Sequence, residues 1–142
     1  MVLSACFVVG CNEDKKEVPD PAGTMSLSMN AFNRVWATDL YWVSSDRYFT
    51  RIGTDNNFYC YVDYFQQTQE HQVINVGKVN GLGSIKKIPS SGCVTITAVE
   101  PGNGYVFKIS DTYARLYVVE WMISTSGGII GTKVKYQYPF NP

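Results

Sequence analysis

Residues 113–138 read Tyr-Ala-Arg-Leu-Tyr-Val-Val-Glu-Trp-Met-Ile-Ser-Thr-Ser-Gly-Gly-Ile-Ile-Gly-Thr-Lys-Val-Lys-Tyr-Gln-Tyr. From Thr132 to Tyr138, Val134, Tyr136 and Tyr138 fall on one side of a period-two pattern, and Lys133, Lys135 and Gln137 on the other. Successive side chains of a strand point to opposite faces, so this is a strand with one face on a core and one toward water. Tyr113 to Ile123 predicts a long strand before it, and Ser126-Gly127-Gly128 supplies the hairpin turn between the two.

The same rhythm extends upstream. Met25 to Met29 alternates with period two. Leu40 to Val43 and Tyr48 to Ile52 are short β-rich runs split by Ser44-Ser45-Asp46. Asp55-Asn56-Asn57 predicts an Asx-type turn. Phe58 to Phe65 is apolar or aromatic on both faces, which predicts a strand buried on both sides. Gln66 to Gln72 is polar and reads as a loop or one helical turn, and Val73 to Val79 as a strand. Asn80-Gly81-Leu82-Gly83 is a glycine-rich turn leading into a short strand, Ile85 to Ile88, ended by Pro89. Val94 to Val99 and Tyr105 to Ile109 flank the turn Pro101-Gly102-Asn103-Gly104, and Ser110-Asp111-Thr112 turns the chain again. No run of a dozen residues carries helical spacing, so βαβ folds are excluded. The expectation is an all-β domain: an antiparallel β-sandwich, with a β-barrel-like closure as the alternative.

The chain has 142 residues, 45% hydrophobic and 17% charged, which suits one folded core rather than disorder. Lys+Arg and Asp+Glu number 12 each. A net charge of zero gives neither the basic excess that draws nucleic acid nor a basic stripe for anionic lipid. Aromatics reach 14%, a β-favouring bias whose first use is core packing.

The N-terminus has a different character. Residues 1–11, Met-Val-Leu-Ser-Ala-Cys-Phe-Val-Val-Gly-Cys, are apolar and end in a small residue and cysteine. Val8-Val9-Gly10-Cys11 fits a bacterial lipobox, in which Cys11 is diacylated and becomes the first mature residue. Leu3-Ser4-Ala5-Cys6 also fits, but too few residues precede Cys6 for a signal core. No Lys or Arg precedes Lys15, although a secretory signal opens on positive charge, and this points to a true start upstream. The run is too short to span a bilayer as a helix. Residues 12–22, with Pro19, Pro21 and alternating charges, read as a flexible acidic tether between the leader and a domain at 23–142. The expected location is the outer membrane of the cell envelope, with the membrane held through the lipid and the domain at the surface.

Several stretches resemble an uncharacterised family of Bacteroidetes lipoproteins, a domain of unknown function. They are Gly77 to Ile85, Pro89 to Gly92, Gly104-Tyr105-Val106, Arg115 to Val119 and Gly127 to Phe140, with Gly23-Thr24 at the domain start. Together they span about half the chain and are distinctive as a set. Glu13-Asp14 behind Cys11 is similar to the acidic signal that sends such lipoproteins to the outer surface. The resemblance implies an envelope location and a β-rich domain, and no activity. It places a large aromatic where Cys93 stands, so it does not imply a disulfide there. Asn33 to Gln72 matches less well, which puts this chain's own specificity in that stretch.

No catalytic signature is present. Cys60 and Cys93 fall in predicted strands, either as a disulfide in an oxidising compartment or as two free thiols. His71 is the sole histidine and reads as a loop residue; without a CxxC there is no zinc motif, and no other metal site or cofactor is expected. No Gly-x-Ser-x-Gly elbow occurs. Asp39, Asp46, Asp55, Asp63, Glu70, Glu100, Asp111 and Glu120 are scattered and read as surface charge, although two of them brought close together would suit a carboxylate-dependent hydrolase. Trp36, Tyr41, Trp42 and Tyr48, with Tyr59 and Tyr61, crowd one region. A flat aromatic face packs on the C–H groups of a sugar, and Asp39, Asp46 and Asn57 offer partners for its hydroxyls. The expected function is a non-enzymatic surface module that binds an extracellular ligand such as a glycan. The alternatives are a subunit docking on an outer-membrane protein and, last, the hydrolase.

Overall fold

The computed structural model describes residues 17–30, 50–60, 71–109 and 111–142. Among these the strands are β1 (Met25–Asn30), β2 (Thr50–Ile52), β3 (Asn57–Cys60), β4 (Gln72–Lys78), β5 (Ile96–Ala98), β6 (Asn103–Ile109), β7 (Thr112–Ile123) and β8 (Ile129–Gln137). They form a five-stranded sheet in the order β1-β8-β7-β6-β4 and a three-stranded sheet in the order β2-β3-β5. Every pairing is antiparallel. The sheets pack on one another and do not close into a barrel, so the architecture is the sandwich.

The β7–β8 hairpin is the one the alternation demands. Val134 and Tyr136 are buried, and Lys133 on the opposite face is exposed. A bulge between Val118 and Glu120 leaves Glu120 exposed beside Lys133 at 3.3 Å. Between the sheets, Phe58 of β3 sets its ring edge-on against Tyr105 and Phe107 of β6, with centroids at 5.1 and 5.8 Å. Tyr105 and Phe107 share a face because they are two residues apart on one strand. This cluster, with Met29, Val73, Leu116, Val118, Val134 and Tyr136, is the main core. An isolated bridge between Val73 and Val94 joins the two sheets at one corner.

The other face of the five-stranded sheet carries a second core. Leu82, Ile85, Val106, Tyr117 and Phe140 are buried together there, and Ile88 packs against them. The segment Ile85 to Ile88 is therefore not the predicted strand. After a 3-10 turn at Leu82–Ser84 it lies across the sheet, using its apolar side chains as a lid instead of joining a ladder. Strand β3 also departs from expectation. It alternates between half-buried and buried, with Asn57 and Tyr59 on the outer side, so over its described length one face is buried rather than both.

Arg115 fixes this lid. It comes from β7 on the lid side and is 9% exposed. Its Nη1 donates to the carbonyls of Ile85 (2.6 Å) and Leu82 (3.4 Å), and its Nε donates to Gln137 Oε1 at 2.8 Å. The guanidinium stacks over the Phe140 ring at 4.5 Å. Burial lowers the Arg115 pKa, but arginine stays charged in any folded protein. Hydrogen bonds from a charged donor stabilise by about 1.5–3 kcal/mol each. Lysine keeps the charge but lacks the planar fork. Arg115→Lys should therefore lower stability by about 1–3 kcal/mol, seen in urea as a lower midpoint at unchanged slope.

Candidate functional site

The described surface has one region where several elements converge on open grooves, the lid side of the five-stranded sheet. Residues 17–22 cross it. The Val18 amide donates to Asn80 O at 2.7 Å, and Gln137 Nε2 donates to Ala22 O at 3.1 Å. Thr24 closes the following turn, its amide and hydroxyl both donating to Pro21 O. Lys135 Nζ lies 3.0 Å from Asp20 and 3.9 Å from Glu17. The hydrogen bond to Asp20 raises the Lys135 pKa, with both acids adding to the effect. Residues 17–22, the later half of the expected tether, thus form a strap held against the domain. Proline and charge in that stretch predicted flexibility because its partners lie far away in sequence.

The Asn80-Gly81-Leu82-Gly83 run has a second purpose besides turning. A Cβ on Gly83 would stand 2.7 Å from Pro19 O and 3.0 Å from Val18 Cγ1. Glycine there lets the strap backbone approach the lid closely.

Two shallow grooves flank the strap. One, of about 600 Å³, is lined by Val18, Lys78, Val79, Asn80, Ser84 and Gly102. The other, of about 240 Å³, is lined by Ser26, Leu27, Ser28, Val119, Lys133, Val134 and Lys135. Lys78 Nζ donates to Pro101 O at 2.6 Å. Beside it, Asn103 Nδ2 donates to Asn75 Oδ1 (3.1 Å) and Glu100 Oε2 (3.2 Å), joining β4 to the turn before β6. Tyr105 OH donates to Ala98 O at 2.7 Å and accepts from the Glu100 amide at 3.0 Å. Burial pushes the Tyr105 phenol up to about 12, so it stays a neutral staple at physiological pH.

Cys11, Trp36, Tyr41, Trp42 and Tyr48 fall outside the described residues. Asp55 caps its own turn: the Asn57 amide donates to its Oδ1 at 3.2 Å, and the Tyr59 hydroxyl donates to Oδ2. The Tyr59 bond is the main reason its pKa falls. His71 is 1% exposed at the start of β4, so it is buried rather than in a solvated loop. Among the described residues no group of three or more His, Cys, Asp or Glu side chains is arranged to hold a metal ion.

Cys60 and Cys93 are not joined: both are free thiols, Cys60 buried and Cys93 exposed. The Cys60 amide donates to Thr95 O, which continues the β3–β5 register. No local sequence signal marked Val18, Lys78, Asn80 or Ser84 as neighbours, since the strap meets the lid across some sixty residues of chain.

No family model matches the chain, and no curated protein matches it by sequence. Among solved structures it is similar to a candidate lipoprotein of Bacteroides fragilis, with a TM-score of 0.60 and 10% identity over 89% of this chain and 95% of that one. At that identity the two share a fold.

Two outcomes follow from this geometry. Burial raises the Cys60 thiol to about 12, so it offers almost no thiolate at neutral pH. Iodoacetamide applied to the folded domain should modify Cys93 and spare Cys60, read by peptide mass mapping; a 60–93 disulfide would leave both unmodified. Lys135 is raised above its ordinary 10.5, so its clamp on the strap is fully present below that pH and is lost as pH climbs through the raised value. Carbon-13 lysine NMR should show a Lys135 midpoint above 10.5 that moves back toward it in Asp20→Asn.

Proposed function

We propose that this chain is a lipid-anchored protein of the bacterial outer membrane whose sandwich acts at the cell surface as a binding module, not as an enzyme. The observation that carries the reading is the strap, taken with the lipobox. Glu17, six residues after Cys11, already lies against the domain. That sequence of an apolar leader, a cysteine, a few charged residues and then a folded domain is what a lipoprotein needs. The fold shared with a candidate lipoprotein of Bacteroides fragilis supports it, as does the resemblance of Gly77 to Ile85 and Gly127 to Phe140 to Bacteroidetes lipoproteins. Among the described residues no helix is long and apolar enough to cross a membrane.

The ligand reading rests on the aromatic stretch. Trp36, Tyr41, Trp42 and Tyr48 offer faces for sugar C–H groups, with acids close by in sequence. A protein partner is the second reading. Val94 and Ile96, 44% and 50% exposed and two residues apart, favour it by putting apolar surface beside β5.

Globomycin should accumulate a precursor, and Cys11→Ala should release the protein from membranes; membrane retention of Cys11→Ala would sink the anchor assignment. Soluble residues 17–142, tested on an array of host and dietary glycans, should bind a subset and lose binding in Trp36→Ala or Trp42→Ala. Silence across the array, with a membrane protein co-purifying instead, would replace the glycan with a protein partner.

A further inference from the structure

We propose that the lid side of the five-stranded sheet, at Lys78, Lys86 and Lys87, faces the membrane that holds Cys11 and meets its phosphate-bearing headgroups. This rests on lipidation at Cys11, and the experiment below separates the two. The first argument is reach. Six residues of extended chain span at most about 20 Å, and the strap holds Glu17 against Gly81, where a Cβ would lie 3.6 Å from the Glu17 side chain. The domain therefore cannot stand far from the bilayer, and among the described residues Glu17 lies beside Lys135 and the segment from Lys78 to Lys87.

The second argument is charge. Lys86 and Lys87 are exposed and, among the described residues, carry no carboxylate partner, and Lys78 meets a carbonyl. Lys133 and Lys135 by contrast are engaged by acids. Of the described lysines without a carboxylate partner, Lys78, Lys86 and Lys87 belong to the stretch that meets the strap, whereas Lys108 lies at the far end of β6, opposite Tyr113. The first three share that side with Glu17 and Asp20, which Lys135 engages. Diacylation already secures attachment, so these lysines set orientation instead of affinity. Each is expected to shift the ratio of facing to non-facing orientations on the order of fivefold. The effect should fade in high salt, as the screening length shrinks to about 3 Å at 1 M.

The test uses the lipidated full chain with Cys93→Ser, reconstituted in vesicles of phosphatidylethanolamine and phosphatidylglycerol carrying a headgroup-level quencher. A fluorophore is placed at Asn80→Cys in the groove or at Thr125→Cys in the β7–β8 turn, roughly 20 Å or more along β8 from Lys135. Mass spectrometry reports acylation of Cys11 independently. Stronger quenching at position 80 than at 125, lost in Lys86→Glu/Lys87→Glu and in high salt, is the expected result. Equal or reversed quenching in acylated protein overturns the proposal and leaves the anchor standing. A difference that survives the double charge reversal also overturns it, because the tether alone then sets orientation. Unmodified Cys11 overturns the anchor and the proposal together.

Discussion

The Arg115 guanidinium is a charge held inside the protein with no carboxylate among the described residues to balance it. Removing an ion from water costs several kcal/mol unless its hydrogen bonds are replaced. Here they are replaced by two lid carbonyls, a glutamine side chain and the face of Phe140. Each partner belongs to a different stretch of chain: the loop after β4, the end of β8 and the C-terminal segment. Arg115 therefore does more than tolerate burial. It ties the loop after β4 and the C-terminal segment to the end of β8 over one face of the sheet, where Leu82, Ile85 and Phe140 pack together and the Phe140 amide also donates to Tyr113 O at 2.7 Å.

The strap depends on that lid in turn. Val18 bonds to Asn80, and Gly83 admits the backbone of Pro19, so the N-terminal residues dock on a surface that exists only once the lid is in place. Lys135 adds a charged clamp from the outward face of β8. The second core is hierarchical: sheet first, lid on the sheet through Arg115, strap on the lid. The inter-sheet core follows a simpler logic, since Phe58, Tyr105 and Phe107 are placed by strand alternation alone.

That difference explains what could be read in advance. The alternation of Val134, Tyr136 and the lysines between them, and the glycine turn at 127–128, identified a hairpin because a strand's two faces are encoded by its immediate neighbours. Ile85 to Ile88 misled because a short apolar run looks the same whether it joins a ladder or lies across one. The strap misled for the opposite reason. Glu17, Pro19 and Asp20 look like a solvated linker until Lys135 and Asn80 are brought to them from the far side of the chain. For the candidate site the sequence supplied the lipobox and the aromatic stretch, but the grooves are assembled from residues whose proximity no local pattern records.

The strand directions bear on how the sandwich extends from its strap. β1 begins at Met25, opposite Tyr136 and next to the strap, and ends at Asn30, opposite Gly131 near the free end of the β7–β8 hairpin. Five residue steps of strand carry the chain roughly 17 Å from the strap end. The antiparallel pairing of β1 with β8 is what imposes this separation: the strap enters beside the end of β8, and β1 must run back along it. Asn30 and the β7–β8 turn therefore lie at the opposite end of the five-stranded sheet from the strap.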